Sequence, residues 1–527
     1  MMFSIFLMLM MSLIFLFLVF WGVYGGFSIF LVEWPFISYK FLFFFNSCIF
    51  SLVLLIITLS VLVYSSYYLN GELNFIYYYF VLMIFVGSMF GVVYSNSSFS
   101  MLVSWDLLGI SSFFLVLFYN NWDSCSGAMN TVLTNRLGDF FLFVFFSGVI
   151  FSSWHFLSLG YFYVVSILML VAAAFTKSAQ FPFSGWLPKA MSAPTPVSSL
   201  VHSSTLVTAG LILLLSFSEL TLRLEVSYII FFVGIFTMFF SSVSALMEED
   251  MKKVVALSTL SQMGFSLLTI GMGLGFVSLI HLLSHALFKS CLFMQIGVVI
   301  HCSLGQQDGR GYSGLGKLPY LIQLQMLVTL FCLTGLIFPS GAVSKDFILE
   351  MFFSNNYNVL ISFFFFLTVF LTFMYSYRLW KSLFMFFSKS VYYSNNSILM
   401  NLLSGALVFF SVVFIWWMSM NLFLIPSMYL YVDFYAPLFF VFLFLFMFSL
   451  SMKYLLKEFI YKFGVDFFAK YSTYFLFSYK FMDYFLESGV YKGHNILSTG
   501  GVIFMNFMSF MDFGVVMLVI WVVFFIL

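Results

Sequence analysis

Read with a window of about 19 residues, the hydrophobic positions gather into long runs and the polar ones into short intervals between them. Runs long enough to cross a bilayer as helices are expected at Phe3–Tyr24, Phe43–Tyr64, Phe75–Tyr94, Phe99–Phe118, Leu137–Phe151 and Tyr163–Ala179. Further runs follow at Val197–Phe217, Ile229–Leu246, Val254–Ile270, Phe276–Ile300 and Leu321–Phe353. The last are Leu360–Phe384, Leu402–Met418, Tyr435–Leu450 and one ending at Leu527. The pattern predicts an all-α polytopic membrane protein of about fifteen spans.

Two of these runs are interrupted. Pro182 and Pro188 follow Lys177 almost at once, and Pro339 with Gly341 breaks Leu321–Phe353 just before Lys345. Proline removes an amide donor and crowds the preceding turn, so unwound backbone at membrane depth must be buried in protein or line a cavity. Paired interruptions of this kind mark the transport site in secondary transporters. An ordinary proline kink accounts for either break alone, but not for a lysine adjoining each. The final connection, from about Lys453 to Gly501, has no proline and places Lys453, Lys457, Lys462, Asp466 and Lys470 close to one helical stripe. It reads as an amphipathic helix lying along a surface or strutting against neighbouring subunits; a solvated loop with helical content is the plainer alternative.

Composition agrees with a chain in lipid. Of 527 residues, 63% are hydrophobic and 7% charged, with mean hydropathy +1.11, and no soluble domain is expected. A net charge of +1 gives no reason to expect nucleic acid or an acidic substrate. The 81 Phe, 32 Met and 30 Tyr beside 9 Pro resemble coding by an A+T-rich organelle genome. Phe3–Tyr24 has neither a basic leader nor a small-residue cleavage site, and is expected to be a retained membrane helix. Cys48, Cys125, Cys291, Cys302 and Cys332 form no C-x-x-C pair, so no disulfide framework, zinc or iron–sulfur site is indicated. No nucleotide-binding glycine motif or haem ligand pattern is present, and redox chemistry within the chain is not expected. Basic residues concentrate in alternate connections (Arg136, Lys189, Lys252, Lys253, Arg310, Lys317, Lys389), against Lys40 and Arg223 in the others. By the positive-inside rule the first set and the N-terminus face the matrix or cytoplasm.

In such a chain, ionisable residues inside apolar runs are expensive and therefore candidates for function. Asp106 is one; by itself it could cap a neighbouring helix or bond to Ser111 or Ser112. With Lys177 about 5 Å away, an effective dielectric near 20 gives about 3 kcal/mol of attraction, so moving Asp106 would switch Lys177 between holding and releasing a proton. His281, His285 and Lys289 step by i, i+4 and i+8 along one helix face. Zinc is disfavoured there, because no glutamate lies between the histidines and no third ligand is evident; a proton relay suits three aligned titratable groups better. Polar glue between helices fits a single histidine more readily than it fits the aligned set; His202 is a further candidate of the same kind. Lys345 and Asp346 follow the second break, where a structural ion pair is the alternative. Arg136 and Asp139 are expected to be structural, snorkelling to the interface, and Glu248, Glu249, Asp250, Lys252 and Lys253 to be a mostly solvated loop and helix start.

Several ordered motifs carry a resemblance. They are Trp105-Asp106-Leu107-Leu108-Gly109, Asn135-Arg136-Leu137-Gly138-Asp139, Lys177 to Phe183, Trp186 to Met191, the run Ala193 to Gly210, Ser258 to Gly264, His281 to Lys289, and Ser344-Lys345-Asp346. Over roughly Phe99 to Arg378 the chain resembles the antiporter-like proton-translocating membrane subunits of respiratory complex I. The resemblance implies two inverted repeats in a core at 96–385, preceded by membrane helices at 1–95. Beyond the core it implies further spans at 386–452, a lateral amphipathic helix at 453–506 and a final anchor at 507–527. It implies that Asp106 and Lys177 form the controlling ion pair, that His202 and Lys289 are the central relay with His281 and His285 on the same path, and that Lys345 with Asp346 is the exit-side group. NADH, FMN, iron–sulfur clusters and ubiquinone would sit in partner subunits, with no cofactor in this chain. Partners would be the other membrane-arm subunits, especially the chain 4 antiporter-like subunit, together with accessory subunits and lipids such as cardiolipin in the mitochondrial inner membrane. Two departures stand out: the family's usual glutamate is here the shorter Asp106, and its usual span number is about sixteen. The rival readings are a subunit of a multisubunit cation/proton antiporter and a membrane scaffold whose buried charges only hold helices together. A relay requires Lys177, Lys289 and Lys345 to lie close to one mid-membrane plane, none of them facing lipid.

Overall fold

In lipid every backbone N–H and C=O must be paired within the protein, and in the computed structural model of this chain long helices do that pairing. The structure describes residues 27–33, 38–150, 164–312, 320–335, 339–354, 359–384 and 403–412. All belong to the first of two compact units, which ends at Met447. The expected spans Phe3–Tyr24 and Tyr435–Leu450, the lateral helix and the final anchor lie outside the described residues.

The helices are α1 (Phe45–Tyr68), α2 (Phe75–Tyr94), α3 (Ser98–Val116), α4 (Trp122–Ile150) and α5 (Val164–Lys177). After the first break come α6 (Thr195–Leu200), a π-helical turn at Val201–Thr205 and α7 (Leu206–Ser216), then α8 (Leu224–Met247), α9 (Met251–Gly271) and α10 (Gly275–Cys302). α11 (Tyr320–Thr334), α12 (Pro339–Ser354) and α13 (Val359–Phe384) complete the named set, followed by a short apolar helix, Leu403–Val412. Eight helices among the described residues are long and apolar enough to cross a membrane.

Burial sorts them into layers. Thr195–Ser216, Met251–Gly271 and Gly275–Cys302 are 94–100% buried over their apolar windows, whereas Phe75–Tyr94, Ser98–Tyr119 and Val359–Leu383 are 44% buried. The central three carry His202, His281, His285 and Lys289, and the outer ones turn apolar faces outward. α8 and α9 approach closely where Gly264 meets Gly234: a Cβ on Gly264 would lie 3.0 Å from the Gly234 carbonyl oxygen, a small-residue contact typical of packing in membranes. Below it, Phe231, Phe265, Phe352 and Phe365 join α8, α9, α12 and α13 in one core cluster, with Phe352 and Phe365 stacked at 4.0 Å.

Three features depart from the sequence pattern. Phe27–Glu33 and Ser38–Phe43 pair as an antiparallel hairpin; the segment is too short to span, so its backbone groups pair with each other, and Asn96 N–H binds the Lys40 carbonyl at 3.0 Å. α4 begins at Trp122 rather than Leu137, because polar residues such as Ser124, Thr131 and Asn135 hide from a hydropathy window yet are buried against neighbouring helices. The cluster from Glu248 to Lys253 is less solvated than its charge suggests. Lys252 is 3% exposed and donates to the Ala193 carbonyl at 3.3 Å, while Met251 and Glu249 share backbone hydrogen bonds with Gln307 and Gly309. Arg310 pairs with Glu249 and Asp308, both at 2.7 Å, and holds the Asp308 carboxyl below the usual carboxylate range. Being exposed, these ion pairs add little stability.

Arg378 of α13 closes the other side of that loop. Its guanidinium donates to the carbonyls of Ala245 (3.0 Å), Leu246 and Glu248, the acceptors that the end of α8 leaves without helical partners. Arg378→Met should orphan them and destabilise the chain by about 1–3 kcal/mol, seen as a lower Tm with unchanged helix content by circular dichroism.

Candidate functional site: buried bases at two helix breaks

Lys177 is the last residue of α5. The chain leaves the helix through Ala179, whose φ of 54° is left-handed, and Gln180 N–H closes the end on the Phe175 carbonyl at 3.0 Å. Its ammonium is fully buried, donates to the Trp105 carbonyl at 2.5 Å and lies 4.0 Å from the centre of the Trp105 ring. A carbonyl and an indole face thus hold the charge, the second by its quadrupole.

The acids are arranged differently from a simple Asp106–Lys177 pair. Asp106, one-third exposed, faces Arg136 at 3.5 Å, and the same Arg136 nitrogen reaches Asp139 at 3.2 Å. Asp139 is 5% exposed, and its second carboxylate oxygen has no protein partner. Both acids lie near enough to act electrostatically on Lys177. α4 and α5 touch closely here, since a Cβ on Gly138 would run into the Thr176 side chain; that contact brings Asp139 to the end of α5. Asp139 therefore does not reach the interface, whereas the half-exposed Arg136 bridges it to Asp106. The i, i+3 spacing of the two on one helix was the available signal, hidden because the pattern started the helix at Leu137.

Beyond the break, the Trp186 indole N–H caps the Thr176 carbonyl at 3.0 Å, and its ring lies 6.0 Å from His202. His202 sits in the π-helical turn, fully buried, with no protein partner on either ring nitrogen. π-turns recur at functional sites, and this one packs on α10, the helix that carries His281, His285 and Lys289.

On α10, His281 Nδ1 hydrogen-bonds the Ser344 hydroxyl of α12 at 3.0 Å, tying the histidine row to the second break. His285 is buried with neither ring nitrogen partnered in the protein. Lys289 is fully buried and donates to the Ser258 hydroxyl of α9. Lys345, 7% exposed, donates to the Leu333 and Thr334 carbonyls, where α11 stops. The broken helix supplies acceptors that an unbroken one would have used internally, which explains why a lysine adjoins the break. Asp346 lies in the same turn of α12; its side chain is outside the described residues.

The two halves differ in kind. Around Lys177 are acids; among the described residues, the electrostatic partners of His281, His285 and Lys289 are one another and Lys345. Neighbouring bases in low dielectric disfavour one another's charged forms. All three lysines face protein interior.

These features define a polytopic membrane protein with buried titratable groups on its central helices and at two helix breaks. Residues 95–372 match the family described as NADH:quinone oxidoreductase/Mrp antiporter, transmembrane. The chain belongs to this family, in its NADH-ubiquinone oxidoreductase chain 5 branch. It is 64% identical to NADH-ubiquinone oxidoreductase chain 5 of Ascaris suum over 99% of this chain and 96% of that one. With the Caenorhabditis elegans protein of the same name it shares 62% identity over 94% of each. Among solved structures, a chain of the Mrp complex from Dietzia sp. DQ12-45-1b aligns at TM-score 0.67 and 26% identity, covering 75% of this chain and 46% of that one. A chain of the archaeal membrane-bound sulfane sulfur reductase shares the fold at TM-score 0.70 and 19% identity, covering 78% of this chain and 89% of that one.

Proposed function

We propose that this chain is a core membrane-arm subunit of respiratory complex I and carries protons across the mitochondrial inner membrane. NADH oxidation and ubiquinone reduction take place in partner subunits that hold the FMN and iron–sulfur clusters. The carrying observation is that Lys177, Lys289 and Lys345 are buried, two of them at helix breaks, with histidines between them. Polar glue between helices fits one buried histidine more readily than three aligned titratable groups on one helix. In this reading Asp106, Asp139 and Arg136 set the charge on Lys177, His202, His281, His285 and Lys289 pass the proton along, and Lys345 with Asp346 releases it.

The likeness to the Mrp complex chain favours transport but not an antiporter identity, since it spans 46% of that chain against 96% of the Ascaris relative. Partners in this reading are the other antiporter-like subunits, chain 4 foremost, accessory subunits and cardiolipin. Purification in mild detergent tests it: the chain should travel with NADH-oxidising, ubiquinone-reducing activity. Recovery only with antiporter subunits lacking that activity would overturn the assignment.

A further inference from the structure

The acceptor that faces Lys289 is itself held by a row of hydrogen bonds leading to α13, a helix that carries none of the relay residues. Ser258 of α9 donates its hydroxyl proton to the Val255 carbonyl at 2.7 Å, which leaves its oxygen to accept from the Lys289 ammonium. One turn on, Ser261 donates to the Ser258 carbonyl at 2.9 Å, so its oxygen accepts from the Tyr375 hydroxyl at 3.0 Å. The Tyr375 oxygen in turn accepts from the Gln262 amide at 3.3 Å. A hydroxyl has one proton to give, so every bond in the row has a fixed direction. All of these side chains are buried.

Tyr375 also packs beside both lysine sites. Its ring belongs to the core cluster that holds Phe288, the residue before Lys289, and Leu333, whose carbonyl accepts from Lys345. One turn further along α13, Arg378 is anchored on the carbonyls that end α8, so the tyrosine enters the core from a fixed helix. The Gln262 carbonyl oxygen has no partner among the described residues, and the Tyr375 hydroxyl is what holds that side chain. A phenylalanine would fill the same space with no polar group to satisfy; the hydroxyl serves the row rather than the packing.

We propose that Tyr375 is a positioning residue for proton transfer at Lys289, its hydroxyl holding the turn of α9 on which Ser258 meets the ammonium. This deepens the transport reading above and rests on it. The test uses the whole complex in sealed vesicles and measures protons moved per NADH oxidised. Tyr375→Phe keeps the ring and should lower the yield of assembled complex part of the way to that of Lys289→Met. Ser261→Ala should show the same loss and Ser261→Thr retain the wild-type yield, a contrast that a purely space-filling role would not produce. The Tyr375→Phe/Ser261→Ala double variant should lose no more than either single one, because both break the same row. Tyr94→Phe, which removes another buried hydroxyl, bonded to Ser51, should leave the yield unchanged. The Ser261 variants give a reading even where Tyr375→Phe assembles poorly. With a loss in Lys289→Met, any of three results would overturn the positioning role and leave the transport reading standing: wild-type yield in Tyr375→Phe or Ser261→Ala, equal losses in Ser261→Ala and Ser261→Thr, or additive losses in the double variant. Wild-type yield in Lys289→Met as well would overturn the transport reading itself.

Discussion

Lys289→Met should abolish proton transport through this subunit while leaving the protein at least as stable as before. The ammonium is fully buried, its hydrogen-bond partner is the Ser258 hydroxyl, and its electrostatic neighbours among the described residues are other bases. Burying an ammonium without a counter-charge is unfavourable by several kcal/mol, and methionine fills nearly the same volume without that penalty. Replacing buried ionic groups by apolar residues of similar size is neutral or stabilising by about 1–4 kcal/mol. Thermal unfolding of the purified complex and proton yield in vesicles measure the two arms separately. A scaffold lysine would behave in the opposite way, with lower stability and transport intact.

Asp139→Asn should disable the first half of the path at least as severely as Asp106→Asn. Asp106 is one-third exposed and faces Arg136, whereas Asp139 is nearly buried on the helix that meets the end of α5 at Gly138. A carboxylate near a buried ammonium favours its charged form, so removing one weakens the hold on the proton. Its loss should remove that support from the buried Lys177 ammonium, with little change in assembly because asparagine matches aspartate in size. Arg136 moderates the Asp106 variant, since it then pairs with Asp139 alone. Proton yield should fall in both variants. A full yield in Asp139→Asn with a loss in Asp106→Asn would restore Asp106 as the controlling acid.

How far the sequence reveals this arrangement depends on which physical signal each part leaves. α2 lies at Phe75–Tyr94 in pattern and structure alike, because an uninterrupted apolar run is enough to define a membrane helix. Both breaks are legible from proline beside lysine. The first half of α4 is not: its side chains are polar, and burial against other helices leaves no hydropathy trace. The π-turn at His202 is equally silent, since one extra residue in a helix follows from packing on α10 rather than from local preference. For the same reason the sequence pairs Asp106 with Lys177, while the interposed Arg136 and the buried Asp139 emerge only when α4 and α5 are brought together at Gly138. His281, His285 and Lys289 sit on one helix and share a face by spacing alone, so their alignment is readable directly.

The central claim is that buried bases at the helix breaks carry the transported proton. The most direct measurement is the number of protons moved per NADH oxidised by the intact complex in sealed vesicles, comparing wild type with Lys177→Met. The account predicts a lower yield in fully assembled Lys177→Met complex; a wild-type yield in that assembled variant would contradict it.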